Sequence, residues 1–250
     1  MKLRILALSV GLAGIVTASQ AQTVVFNNMP NGTYYSGANQ SLNEEGEWFQ
    51  TSKTAPFTLG GFDLNMDTTG SSGSNTYSNL QLEVQVYGTG VSTYSGSSAA
   101  EFSNLLYTHT FTFGAETLAN GFYYDAAGLL NGGTEIALPT PVTTTDSTGR
   151  VGVVFTWLNA GAPTTLLQTA VGIGDTPSVG SNAETDYNLN FGVVGGTGAV
   201  LNQNQYLYSG TVPTNLAVEL FTGTPAPEPV SMTFLGLGVV GLIARRRNRK

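Results

Sequence analysis

The sequence predicts an all-β fold, an antiparallel β-sandwich resembling a jelly roll, and three observations predict it. Apolar residues alternate with polar ones at period two in several separate stretches. Gly, Ser, Thr and Asn crowd the segments between them, with 32 glycines in 250 residues. Charged residues make up only 10%, so the exposed, salt-bridged faces of long helices are missing. Period two is the signature of a strand with one buried and one wet face, and short strands punctuated by turn residues point to a sandwich.

In chain order, Phe62, Leu64 and Met66 alternate with Asp63, Asn65 and Asp67. Leu80, Leu82, Val84 and Val86 alternate with Gln81, Glu83 and Gln85. Leu105, Tyr107, His109, Phe111 and Phe113 alternate with Thr108, Thr110 and Thr112. Residues 151–158 are apolar on both faces, as in a central strand. Leu189 to Val193, Tyr206 to Tyr208 and Leu216 to Leu220 continue the series. Between them, residues 69–75 form a Gly/Ser-rich tip, Asn131-Gly132-Gly133 predicts a hairpin loop, and Asp146-Ser147-Thr148-Gly149 predicts a turn. Ser98-Ala99-Ala100-Glu101 has capping-box spacing, which predicts a short helix with Phe102, Leu105 and Leu106 on one face, ending near Leu105. Residues 22–224, with no interior linker or repeat, read as one domain, long enough to bury a core without disulfides.

Both ends differ from this body. Lys2 and Arg4 precede an apolar run over residues 5–16, and Ser19-Gln20-Ala21 places small residues at the −3 and −1 positions of a cleavage site. Residues 1–21 therefore read as a signal peptide, cut between Ala21 and Gln22. The run of about a dozen apolar residues is short of the roughly 20 that span a bilayer.

At the other end, residues 225–250 begin with a Pro-rich spacer containing Pro227-Glu228-Pro229, stiff because each ring fixes φ. Residues 230–244 carry no charge, and Arg245, Arg246, Arg247, Arg249 and Lys250 follow. An apolar segment ahead of a basic cluster is a transmembrane helix with a stop-transfer signal, and the cluster stays cytoplasmic. As a helix its 15 or so residues reach about 22 Å, less than a bilayer core of about 30 Å. Snorkelling arginines and local thinning cover part of that gap.

Pro227-Glu228-Pro229, the apolar run through Phe234 to Ile243 and the Arg245-Arg246-Arg247 cluster together resemble the PEP-CTERM sorting domain. Proteins with that tail occur in Gram-negative bacteria that make exopolysaccharide. The resemblance covers about the last 24 residues. It implies recognition by an exosortase, a membrane transpeptidase-like protease that cleaves near Pro227-Glu228-Pro229. The body would be held in the inner membrane until processing and then passed to the cell surface or the extracellular space. The body loosely resembles the all-β bodies often attached to such tails.

Charge narrows the partners. Residues 22–224 hold 2 basic and 15 acidic side chains, about −13, a field that disfavours nucleic acid. With no Cys in the chain, thiol chemistry and disulfides are excluded. Three weaker features suggest ligands. Asp63-x-Asn65-x-Asp67 has the spacing that opens a calcium loop, which leaves loosely bound Ca as the one cofactor in view. Thr68 stands where that loop needs Gly, however, and Ser74 where it needs Glu, so the polar face of a strand explains the spacing better. Trp48 follows Glu44, Glu45 and Glu47, with Tyr34 and Tyr35 nearby. Such a group suits a sugar-binding face, though aromatics more often fill cores. His109 is the single histidine and lies on an apolar strand face, and no Gly-x-Ser-x-Gly elbow exists to accompany it. Gly195-Gly196-Thr197-Gly198 is followed by no Lys and reads as a turn rather than a phosphate loop.

The sequence thus points to an exported, non-enzymatic protein of the cell surface or exopolysaccharide matrix, with no catalytic residue identified. A carbohydrate-binding module using Trp48 is one alternative. A secreted hydrolase using two carboxylates about 5–9 Å apart is another.

Overall fold

Period-two patterning folds here as antiparallel strands throughout. A computed structural model describes residues 22–29, 33–35, 44–69, 73–90, 102–119, 122–133, 135–159, 166–169, 171–173, 176–182, 188–190, 205–207 and 214–223. The expected signal peptide with Ala21, the expected sorting tail over residues 225–250, the capping box at Ser98 and the expected Gly195 turn lie outside them.

The strands are β1 (Thr23–Asn27), β2 (Thr33–Tyr35), β3 (Glu44–Gln50), β4 (Thr58–Thr69), β5 (Ser74–Gly90), β6 (Phe102–Ala119), β7 (Phe122–Asp125), β8 (Ile136–Thr143), β9 (Arg150–Asn159), β10 (Leu166–Thr169), β11 (Val171–Ile173), β12 (Ser181–Asn182), β13 (Asn188–Asn190), β14 (Gln205–Leu207), β15 (Thr214–Leu216) and β16 (Val218–Thr222). A single turn of helix, α1 (Ala126–Leu130), separates β7 from β8.

One sheet runs β1-β16-β4, with β10 beside β16 along one edge of β4 and β7 and β8 along the other. The second runs β14-β13-β3-β9-β5-β6, with β12 on β3. A small third sheet joins β15, β11 and β2. The first two face each other. Phe62 of β4 meets Phe155 of β9 and Phe111 of β6 with ring centroids 5.5 Å apart in each case. Leu64, Met66, Leu82, Val84, Val86, Val153, Val218 and Leu220 complete the core between the sheets. The alternation of Phe62, Leu80 and their neighbours thus marks the inward faces as the sequence implies. Residues 151–157 are buried on both faces, which makes β9 a central strand.

Two local expectations change. Residues 102–106 are the start of β6 and not the end of a helix, because Phe102 and Leu105 pair with Gly90 and Tyr87 of β5 and cross-strand pairing outweighs a single capping box. Asn131-Gly132-Gly133 does not close a hairpin. It ends α1, with Gly132 and Gly133 at φ 69° and 86°, the left-handed conformation that glycine adopts without strain after a helix. The helix start is capped locally, the Gly128 N–H donating to Asp125 Oδ1 at 2.7 Å. The segment after β4 crosses from one sheet to the other, since β4 and β5 belong to different sheets.

The turn before β9 forms as predicted. Asp146 Oδ1 accepts the Thr148 N–H at 2.7 Å and the Arg150 N–H at 3.3 Å. Gly149 sits at φ 79°, and its carbonyl accepts from the Thr51 hydroxyl at 2.6 Å. Burial raises the Asp146 pKa somewhat, but the bonds from Thr148 and Arg150 and the Arg150 charge outweigh it and hold the carboxyl below its usual range.

Candidate functional site

Trp48 stands on the outward face of the β3-β9-β5 sheet, where β3 places it beside Gly152. Its ring stacks on Phe102 at 5.3 Å and 16°, and the Arg150 guanidinium lies 5.7 Å over it. Tyr87 and Val154 close the same small cluster. Trp48 is 2% exposed, as is Trp157, so neither presents a ring to a sugar in solution. The sugar-binding reading of Trp48 therefore gives way to a packing role, because the ring is buried with Phe102 stacked on it and the Arg150 guanidinium over it.

The adjacent glutamates point the other way. Glu45 and Glu47 are buried, and Glu47 Oε2 accepts the Leu216 N–H at 2.7 Å. Glu47 thus ties β3 to the chain entering β16. Tyr34 and Tyr35 lie on β2, opposite Gly172 and Val171.

Asp63, Asn65 and Asp67 all lie on the extended strand β4, opposite Glu219, Asp125 and Tyr123 respectively. An extended chain sets alternate residues about 7 Å apart and the outer two about 13 Å apart, too far for one ion to reach all three. A calcium loop curls its ligands around the ion; this strand cannot, and the weak calcium reading fails on that geometry. Among the described residues no three His, Cys, Asp or Glu side chains converge as a metal site.

The register nevertheless gathers acids. Glu219 is half-buried; burial first, and then the charges of Glu135 and Asp125, raise its pKa. Asn27 Nδ2 donates to its Oε2. A raised carboxyl disfavours the charged folded form, so its contribution to stability is complete below the unfolded pKa and is lost as pH rises through the folded one. Glu219→Gln keeps an acceptor for Asn27 and removes the charge. It is expected to raise the thermal midpoint at pH 7 and to shrink the gain that wild type shows on acidification towards pH 5. Identical pH profiles for variant and wild type would refute this account.

The concavity at the open side of the sandwich was not visible in the sequence. A groove of about 320 Å³ lies between β6 and the β8/α1 edge, lined by Phe111, Thr112, Phe113, Leu130, Asn131, Ile136 and Ala137. His109 sits beside it, edge-on to Phe111 at 4.7 Å. Tyr107, one pair further along, has its phenol raised by burial, with the Thr140 backbone opposing. Residues 111–113 and 130–137 are distant in the chain, so only the aromatic period of β6 hinted at the groove. A second missed feature is a buried polar ladder on β5, where Tyr87 Oη donates to Gln85 Oε1 at 2.5 Å and Gln85 Nε2 donates to Glu83 Oε1 at 2.9 Å.

No protein-family model matches the chain, and no curated protein does. A solved structure of infectious bursal disease virus, Gt strain, aligns with 99% of this chain at 12% identity and a TM-score of 0.21. The chain spans about half of that protein, 53% of its length. A likeness at that score carries no argument about fold or function. No helix among the described residues is long and apolar enough to cross a membrane; the apolar run over residues 230–244 is outside them.

Proposed function

We propose that the chain is an exported, non-enzymatic protein of the cell surface or exopolysaccharide matrix, a substrate of an exosortase, with a jelly-roll body. The order of motifs in the tail sequence carries this reading: Pro227-Glu228-Pro229, then an uncharged stretch, then Arg245, Arg246, Arg247, Arg249 and Lys250. The signal-peptide pattern with cleavage between Ala21 and Gln22 gives the matching export route. The body's wiring supports the jelly roll. The order β1-β16-β4-β8 in one sheet and β3-β9-β5-β6 in the other, with most connections crossing between sheets and β5-β6 a paired exception, fits two interlocked Greek keys.

An acidic, Ser/Thr-rich body with few cations suits a hydrated polymer matrix. The non-enzymatic part rests on the sequence, which holds one His, no Cys and no nucleophile elbow.

The test is the intact mass and subcellular location of the native protein beside a variant with Pro227, Glu228 and Pro229 all changed to alanine. Wild type is expected at the surface or released, lacking residues 1–21 and the basic tail. The variant is expected to accumulate in the inner membrane with Arg245 to Lys250 intact. Wild type that keeps those residues and stays in the inner membrane would make the chain a plain tail-anchored protein, and the matrix reading would go with it.

A further inference from the structure

The two strands at the open side of the sandwich are defended differently. β8 carries Pro139 and Pro141, both exposed, and each proline removes an N–H that an incoming strand would need. β6 is an end strand among the described residues and runs for 18 residues. It has no Pro, Lys or Arg, and its one carboxylate is Glu116. An edge whose first 14 residues, 102–115, hold no Asp, Glu, Lys, Arg or Pro is a template for a further strand. Leu105, 39% exposed, is the exposed large hydrophobic among the described residues, and it lies on this strand. It pairs with outward-facing Tyr87 across a bulge, whereas Tyr107, Phe111 and Phe113 on the inward face of the strand are only partly buried.

We propose that β6 is a self-association edge, where two copies of the chain pair antiparallel about a two-fold axis through Thr110. The local neutrality of the strand favours a second copy over a cationic partner. A body of about −13 attracts cationic partners to its carboxylates, yet residues 102–115 of β6 have none. An uncharged strand is the complement, and β6 itself is one.

The pattern also matches itself. Residues directly opposite in an antiparallel pair share a face, so a two-fold axis normal to the sheet must pass through a residue rather than between two. An axis at Thr110 sets Thr108 against Thr112, His109 against Phe111 and Tyr107 against Phe113. Threonine pairs on one face and aromatic pairs on the other are both favourable across strands. An axis at His109 would oppose two imidazoles. The backbone is regular across the five residues centred on Thr110, and the ladder's irregularity at Phe113 lies just beyond them. Tyr107 to Thr112 pair with Val86 to Gln81 without a shift, and the irregularities of the β5-β6 ladder fall outside that run. Pairing from Tyr107 to Phe113, symmetric about Thr110, would extend about 20 Å. It would bring Tyr107 of the second copy beside Phe113, at the mouth of the groove. The two large sheets would then continue into one.

The native absence of Cys makes the test clean. Opposite residues in an antiparallel pair have Cα atoms about 4.5–5.5 Å apart, within the range of about 4.4–6.8 Å that a disulfide spans. Full-length Thr110→Cys, purified in detergent and oxidised, is expected to form a covalent dimer. Thr140→Cys on the proline-bearing edge is expected to stay monomeric. Thr110→Lys opposes two ammonium groups on the axis and is expected to weaken the wild-type dimer by roughly tenfold or more in native mass spectrometry, with an unchanged circular dichroism spectrum. The proposal is overturned if Thr110→Cys cross-links no better than Thr140→Cys, if wild type is monomeric up to its solubility limit, or if the dimer survives Thr110→Lys. Protection of the introduced thiol by added polysaccharide, without any dimer, would assign the edge to a glycan instead.

Discussion

Phe62→Ala is expected to lower stability by about 3–5 kcal/mol, the usual cost of deleting a fully buried phenyl ring. For a domain of this size that is a fall in Tm on the order of 10 °C. The reason is position as much as volume. Phe62 is 1% exposed and is the ring through which β4 touches both Phe155 and Phe111 of the opposite sheet. Its loss leaves a void between the two layers, which the rigid strands on either side cannot close. Phe62→Leu fills most of the space and should cost less than half as much. Thermal unfolding followed by circular dichroism measures both. Equal losses for Ala and Leu would show that ring contacts, rather than the cavity, set the cost.

Asn28→Ala is expected to cost a further 2–5 kcal/mol in a separate experiment, because two buried backbone groups lose their partners at once. Asn28 is 1% exposed. Its Nδ2 donates to the Leu216 carbonyl at 2.7 Å, and its Oδ1 accepts the Val218 N–H at 2.8 Å. The side chain therefore completes the ladder where β1 ends, at the join between β15 and β16. Asn28→Asp is the sharper probe. It keeps the acceptor for Val218 but turns the donor into a second acceptor facing a carbonyl, so it should be at least as damaging as alanine at neutral pH. A loss under about 0.5 kcal/mol for either variant would mean that water replaces both bonds.

Much of the β architecture was written in local pattern. The runs beginning at Phe62 and Leu80 became β4 and β5 with the expected residues inward, because a strand's two faces are fixed by the alternation of its own side chains; the third became β6 with Tyr107, Phe111 and Phe113 inward, but a bulge turns Leu105 outward. Asp146 and Gly149 announced their turn for the same reason: a side chain two residues from the N–H it accepts needs nothing distant. Where local signals competed with pairing, they lost. The capping box before Phe102 could not hold a helix against an 18-residue strand on β5. The glycines at 132 and 133 ended a helical turn that nothing in Ala126–Leu130 had announced strongly.

Candidate sites were less legible than strands. Trp48, next to three glutamates, has the composition of a sugar platform. Only the packing of Phe102 and Arg150 against its ring, 54 and 102 positions away in the chain, shows that it is covered. Asp63, Asn65 and Asp67 have the spacing of a loop, but the strand they lie on spreads them apart. Asn28 carried no signal at all, Glu47 stood out only as part of the group around Trp48, and the groove beside Phe111 was hinted at only by the aromatic period of β6.

The sequence by itself determined the β character of the body, its alternating faces, its acidity and the motif order of its two ends, since each depends on residues within a few positions of one another or on a simple sum. Only the tertiary structure decided which strands pair and which aromatics remain at a surface. It also decided which edge is left without proline. Those properties arise from contacts between residues as far apart as Asn28 and Val218, and no local pattern encodes the distance that folding removes.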